Sequence, residues 1–467
     1  MSARDLRALL NDLESRGDVH HIVATVNADE IAVIAARARQ RVLLFDNVQG
    51  SPFSVVCNLW NDEARFVAAL GLKSLDDLRV KLGRLLDLNI PRGAVGVSSR
   101  IGDWIDVARS VGMFPSGGNR HTPVQEIKIT DAPDITRLPA FHSCADETYP
   151  SLTSALLITQ VGSDQSQMRL TRVVVIDEHT LGVPRGDVPP SSAPIAAAVV
   201  LGADPTLTWS AGVPLPIGLD RALLAAWLRG KPSAFTRGIT QPVEVPSEAE
   251  VAIEGMIDTS VTIPITWGEH DGWMHDDLLV PLRVTAMTHR EHALIPMSMP
   301  RRSDAEWARR ATERLFIPII RVILDDIMDL HQVSDDVVLV RLKDDTPGVA
   351  ERIIYGLWGI LPMCKVVVTV DQNIDVFDLK TVSAIVTARW DIDAVLYGRG
   401  RIGFDASTRL NGAPRAVPQA NEDVLVRFQT LLDQRFAVPT RVAAVFSSAI
   451  EHHITEHWDE YGLELPV

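Results

Sequence analysis

The residues from Ser151 to Ile176, SLTSALLITQVGSDQSQMRLTRVVVI, constrain this chain more than any other stretch. They read as a β-hairpin, and strict alternation places Met168, Leu170, Arg172, Val174 and Ile176 on one face of its second strand. That apolar face is expected to point inward and to carry a guanidinium with it. A buried cation costs several kcal/mol unless a carboxylate or an anionic ligand meets it. The chain must therefore supply an acid from elsewhere or bind one from solution. By residue type alone, a structural ion pair inside a barrel competes with a binding role for Arg172.

Length, charge and cysteine usage narrow the classes of function. At 467 residues the chain has room for about three domains, each able to bury a core. A net charge of −15 argues against a surface for nucleic acid or anionic membrane, which would need a basic face. Cys57, Cys144 and Cys364 show no CxxC spacing, so they read as reduced, buried thiols. The opening MSARDLRALLNDLESRGDV is an amphipathic charged helix, and no apolar run approaches the ~18 residues of a membrane span. A cytoplasmic protein with small-molecule or protein partners is expected.

Leucines at 6, 9, 10 and 13 predict a first helix stopped by Gly17, and a second helix covers roughly 29–39. RVLLFDNVQGSPFSVVCNLW reads as two strands around a turn, followed by helices at about 62–70 and 75–87. Gly, Pro and Ser then mark a boundary near 90–122. From Val124 strands dominate, which predicts an antiparallel sheet or barrel, with RALLAAWLRG as the main helical exception. Residues 303–331 are read as a long helix interrupted near Pro318, and alternating strands and helices follow, including helices at 347–360, 378–389 and 421–434. The domains expected are 1–115 (α/β), 116–305 (barrel), 306–332 (linker helix) and 333–467 (α/β).

Two polar clusters invite a chemical reading. HHITEH places His453 and His457 four residues apart, the spacing that puts two imidazoles on one helix face for zinc, although a solvated terminal helix accounts for it better. WGEHDGWMHDD gathers Glu269, His270, Asp271, His275, Asp276 and Asp277 between glycines, as an active-site loop or simply a polar turn would. PRGAVG and PSGGNR lack the strand before and helix after that a phosphate cradle needs, and no GxSxG elbow is present.

Several stretches together resemble the UbiD family of reversible decarboxylases that use prenylated flavin mononucleotide. They are DLRALLNDLESRGDV, VLLFDNVQGSPFSVVCNL, PVQEIKITDAPDITRLPAF, PSEAEVAIEGMI, THREHALIPMSMPRRSDAEW, ERLFIPIIR and KVVVTVDQNIDVFD. The resemblance implies an α/β multidomain fold: a central flavin-reductase-like split β-barrel, an N-terminal α/β domain, and a C-terminal α/β oligomerisation domain joined by a long helix. It implies a carboxy-lyase for an aromatic, heteroaromatic or α,β-unsaturated carboxylic acid, releasing CO2, with a flavin prenyltransferase as cofactor supplier. A homodimer or larger homo-oligomer, or a hetero-oligomer, goes with it.

By the same resemblance Arg172 and Glu269 take the catalytic positions, Glu269 as the partner of Arg172. Thr153, Ser154, Gln167, Leu170, Thr171, Gly212, Val213, Pro214, Asp220 and Arg401 join Arg172 as cofactor-binding positions. The family's first acid position is Pro264 here, which leaves the proton donor unassigned. Of the Asn, His and Glu that hold a divalent metal in the family, the first is Gln167, the second is missing from LGVPRGDVPP, and the third is Arg221 beside Asp220. Mn2+ and K+ would thus fall to Gln167 and Asp220, or Arg185, Arg221 or Arg401 would neutralise the phosphate directly. These departures motivate an alternative reading, a cofactor-degenerate subunit with a structural or regulatory role in a decarboxylase complex.

Overall fold

The structure, a computed structural model, describes residues 5–38, 41–86, 122–162, 165–215, 220–269, 272–299, 302–334, 336–344, 346–361, 364–389, 394–398, 400–410, 413–414, 443 and 445–463. They fall into two compact units, one drawn from 1–74, 90–308 and 442–467, the other from 75–89 and 309–441.

The first unit opens with the helix Leu6–Ser15, whose N-cap Asp5 accepts from Ala8 N and whose four leucines are buried as their spacing predicts. The strands β1 (Val19–Ile22), β2 (Val42–Phe45) and β3 (Ser54–Cys57) form a small sheet completed later in the chain. Between β1 and β2 runs the helix Ala28–Arg37, started by a capping box of Asn27 and Glu30.

The strands that follow are β4 (Ile127–Ile129), β5 (Ser151–Val161), β6 (Gln165–Asp177), β7 (Thr180–Pro184) and β8 (Ile195–Leu201). After them come the ribbon β9 (Phe235–Arg237) and β10 (Glu244–Pro246), then β11 (Val251–Ile257), β12 (Ile263–Gly268) and β13 (Met274–His289). β14 (Leu294–Met297) pairs in parallel with β3 and so closes the first sheet. The order β11-β8-β5-β6-β7-β13, with β13 returning to β11, is a closed antiparallel barrel of six strands. β12 extends beyond it, folded back along the first half of β13. Gly255 marks a register shift on β11, where a Cβ would stand 2.3 Å from the Arg283 carbonyl oxygen, so only glycine passes.

The alternation of β6 holds, but its polarity is the reverse of the sequence expectation. Val173 and Val175 fill the barrel with Ala155, Leu157, Leu181 and Val199. Arg172 and its even-numbered neighbours look outward. Met168 packs with Leu156, Ile158, Leu207 and Ala225 under the helices Pro205–Gly212 and Arg221–Arg229. Val174 packs in a satellite cluster with Ile265, Trp267 and Leu279 of the β12–β13 hairpin. Along 173–176 both faces of β6 are apolar because both are covered, and alternation alone cannot say which cover is the barrel.

The helix Arg302–Ile323, which enters the second unit at Arg309, continues through Pro318 and ends at Ile323. The expected helical run to 331 stops short, because β15 (Ile327–Ser334) is a strand paired with β16 (Val337–Leu342). With β17 (Val366–Val370), β18 (Val395–Gly398) and β19 (Arg401–Asp405) they form a sheet of order β15-β16-β17-β19-β18, accompanied by the helices Val349–Ile360 and Leu379–Ala388. The expected helix at 421–434 lies outside the described residues. The chain then returns to the first unit: Ile454 of the helix Ser448–Glu456, with Trp458 and Tyr461 after it, is buried in the core that also holds Ile22, Ile31 and Phe45.

Candidate functional site

Arg172 has a side chain only 11 % exposed, and the carboxylate that meets it is Glu147, 1 % exposed, at 2.7 Å. Nη2 also donates to Ser143 Oγ (3.0 Å) and Ser151 Oγ (2.7 Å), Nε donates to Ser151 Oγ (2.9 Å), and Nη1 donates to the Gly268 carbonyl (2.8 Å). The guanidinium lies over the Trp267 ring, 5.2 Å from its centroid. Since a guanidinium carries five N–H groups, one N–H on Nη1 is left for a ligand among the described residues.

Glu147 is as firmly held as the cation. Its Oε1 accepts from Ser143 Oγ (2.8 Å) and Gly268 N (3.0 Å), and its Oε2 accepts from Ser143 N (2.7 Å). A carboxylate held by so many donors is fixed in place and suited to orienting Arg172. The start of this loop is fixed from the helix Ala28–Arg37: Asp29 accepts from His142 N (2.7 Å) and sits 3.2 Å from its Nδ1. The bond to Asp29 holds the His142 imidazole above its ordinary pKa, against burial.

Glu269, expected as the partner of Arg172, stands half-buried at the end of β12, in the turn where its amide donates to Trp273 O (2.9 Å). Gly268, one residue before it, ties that turn to both Arg172 and Glu147. Glu147 was hidden from sequence reasoning because it sits in a loop, ADETYP, without periodicity or a spaced partner. Only its closeness to a buried cation reveals it.

The remaining positions divide. Thr153 and Ser154 occupy the register shift on β5 and face Ser298: Thr153 Oγ1 accepts from Ser298 N (3.0 Å), and the Ser154 and Ser298 hydroxyls are 3.1 Å apart. Leu170 is 37 % exposed, and Gly212 approaches it so closely that a Cβ there would lie 3.1 Å from Leu170 Cδ2. Val213 is buried and Pro214 exposed beside it. This half-open apolar platform, two residues from Arg172 on one face of β6, has the character a flat aromatic ring requires.

On the opposite face Gln167, Arg169 and Thr171 follow one another, and Thr171 Oγ1 donates to Asp187 Oδ2 at 2.6 Å. Burial pushes the Asp187 carboxyl up, with Thr171, Arg169 and Arg221 opposing. Burial draws the Arg221 guanidinium down, and the charge of Arg169 adds to this. Asp220 is exposed and caps the helix Arg221–Arg229, accepting from Ala222 N at 2.8 Å. Arg185 donates to Val188 O (3.1 Å). Arg401, in the second unit, donates to Trp358 O (2.7 Å).

No group of three His, Cys, Asp or Glu that could hold a metal ion occurs among the described residues. Asp220 is engaged as a helix cap, while the apolar platform suits a flavin ring. His453 and His457 stack at 4.2 Å between centroids, His453 reaching Glu30 (3.3 Å) and His457 the His453 carbonyl (2.8 Å), an anchor of the terminal helix. A cleft of about 710 Å³ opens along β12 and β13, lined by Thr148, Arg185, Pro264, Thr266, Asp276 and Asp277. Asp276 accepts from Thr266 Oγ1 at 2.6 Å.

A closed six-strand barrel with a roofed arginine on its outer face, set in a multidomain α/β chain, defines the class. Residues 118–303 match the 3-octaprenyl-4-hydroxybenzoate carboxy-lyase Rift-related domain, residues 10–85 the N-terminal domain of that enzyme and residues 306–402 its C-terminal domain. The chain belongs to the UbiD family.

An uncharacterized protein of Archaeoglobus fulgidus is 26% identical over 422 residues, spanning 84% of this chain and 85% of that protein. Among solved structures, an evolved dimeric form of the UbiD-class enzyme HmfF from Pelotomaculum thermopropionicum, in complex with prFMN, superposes with a TM-score of 0.74. It is 23% identical and covers 89% of this chain and 97% of its own. The vanillic acid decarboxylase of Sedimentibacter hydroxybenzoicus in open form gives a TM-score of 0.72 at 18% identity, covering 93% of this chain and 100% of its own. At these identities the likeness is one of fold. No helix among the described residues is long and apolar enough to cross a membrane.

Proposed function

We propose that the protein is a reversible, non-oxidative decarboxylase of an aromatic, heteroaromatic or α,β-unsaturated carboxylic acid, working with prenylated FMN. The observation that carries this reading is the roofed Arg172, held rigid by Glu147 with one N–H to spare, beside the exposed Leu170 and Gly212 platform in a UbiD-family barrel. When bound, the prenylated flavin supplies an electron sink for the pair released as the carboxylate leaves as CO2. The residues then have separable tasks. Arg172 offers its remaining Nη1 proton to a substrate carboxylate oxygen. Glu147 fixes the plane of the guanidinium, Trp267 excludes water from one side, and Leu170 with Gly212 seats the ring. Glu269 stands on the turn that Arg172 and Glu147 grip, and it is the carboxyl we assign to proton exchange.

A second reading, a cofactor-poor subunit with a structural or regulatory role, is favoured by two facts. Among the described residues Arg172 spends all but one of its N–H groups on the protein itself, and Asp220 is committed as a helix cap. Co-expression with a flavin prenyltransferase separates the two. A stoichiometric flavin spectrum, together with 13C-bicarbonate exchange into an unsaturated or aromatic acid, supports the decarboxylase. A colourless protein after reconstitution overturns it in favour of the subunit. Flavin retained after chelator treatment is the further expectation, because no group of three His, Cys, Asp or Glu able to hold a metal occurs among the described residues.

A further inference from the structure

The chain's end touches the two loops on which Arg172 depends. Val445 O accepts from Ala145 N at 2.8 Å, and Ala145 lies between Ser143 and Glu147. Ala443 forms an antiparallel bridge with Trp273, whose carbonyl accepts from Glu269 N. One short run of backbone thus reaches both the loop that supplies the carboxylate and the turn that supplies Gly268.

Downstream the segment is anchored well. Arg37 Nη1 donates to Thr455 Oγ1 (2.9 Å), its Nη2 donates to Glu451 O (3.0 Å), and its guanidinium lies 5.8 Å from the centroid of the Trp458 ring. His20 Nε2 meets Tyr461 O at 2.9 Å, and Ile454, Trp458 and Tyr461 are 0 %, 3 % and 5 % exposed. The helix that receives this anchor, Ala28–Arg37, is also the one whose Asp29 holds His142. Residues 142–147 are therefore gripped from two sides by elements that share one core.

We propose that the C-terminal segment is an arm of the Arg172 site: docking of Trp458 on the helix Ala28–Arg37 sets the positions of Glu147 and of the turn bearing Glu269. The arm contributes no group to the chemistry; its residues are positioning residues. The inference rests on Arg172 marking the site, as proposed above, but its deciding measurement, hydrogen exchange, needs neither cofactor nor substrate.

The test is amide hydrogen exchange on the full-length chain, comparing wild type with Trp458→Ala, Trp458→Phe and Arg37→Gln. Exchange in 142–147 and at 267–269 is expected to quicken roughly tenfold in Trp458→Ala, while strands 195–201 and 251–257 keep wild-type rates, since local opening is governed by local contacts. Trp458→Phe restores protection. Faster exchange confined to 448–461, with wild-type protection at Ser143, Ala145 and Gly268, overturns the proposal. Should Trp458→Ala open the barrel strands as well, Arg37→Gln decides by the same criterion, because it removes only the contacts at the arm's surface. FMN titrated into each variant provides a separate readout: a shifted visible circular dichroism band in Trp458→Ala, reversed in Trp458→Phe, accompanies the change in exchange.

Discussion

Arg172 and Glu147 form a nearly buried ion pair, 2.7 Å between Nη2 and Oε1, on the outer face of a β-barrel whose core holds Leu157, Val173, Val175 and Val199. Each partner is further hydrogen-bonded, so neither charge is left to the low dielectric of its surroundings. Such a pair specifies one arrangement of side chains, and removal of either half leaves the other uncompensated.

Glu147→Ala and Arg172→Ala are each expected to cost about 3–5 kcal/mol. Equilibrium urea unfolding measures this, and the double variant should cost clearly less than the sum. Additive losses would show that the two groups do not depend on each other.

A Cβ on Gly212 would stand 3.1 Å from Leu170 Cδ2, so any side chain there makes Leu170 give way. Gly212→Val should push Leu170 into the space where a flavin ring would lie, raising the FMN dissociation constant about tenfold, equivalent to ~1.4 kcal/mol. The melting temperature should change little, since both residues are exposed. Unchanged FMN affinity would remove the platform from the proposed site.

The His142–Asp29 pair imposes a pH dependence on the loop. His142 is raised in the folded state, so its contribution is complete below an unfolded pKa of about 6.5 and is lost as pH rises through the folded value. Asp29 is lowered: burial is the largest influence and opposes the shift, but the His142 bonds outweigh it. Its share is present above about pH 3.9 and is lost as pH falls through its folded value. With the two side chains 35% and 33% exposed, solvent screening keeps the effect under ~1 kcal/mol. Asp29→Asn should flatten the decline in stability as pH rises past neutrality, read from urea midpoints across that range.

Burial pushes the Cys364 thiol up to about 11, and its sulfur lies 3.4 Å from Val366 O. The thiolate is the reactive form, so native protein at neutral pH should resist iodoacetamide at this residue while urea-unfolded protein is alkylated promptly. Peptide mass mapping distinguishes the outcomes.

Patterning that depends on neighbours in the chain was legible from residues alone. Leucine spacing defined the first helix, Asn27 with Glu30 began the second, and Gly230 ended the helix Arg221–Arg229 in the left-handed conformation. The buried arginine could also be inferred, because a cation that alternates with apolar residues along a strand shares their burial. Resemblance supplied the barrel and its flanking domains, since motifs spread along most of the chain match one family.

Tertiary structure decided what patterning leaves open. A strand covered on both faces has two apolar stripes, so only packing shows that Val173 points into the barrel and Arg172 out of it. Packing likewise joined Glu147 to Arg172 across 25 positions and brought Val445 back to Ala145. Local periodicity reports how a segment meets its surroundings. Which segments become those surroundings depends on closing long loops, and no short stretch of sequence encodes that choice.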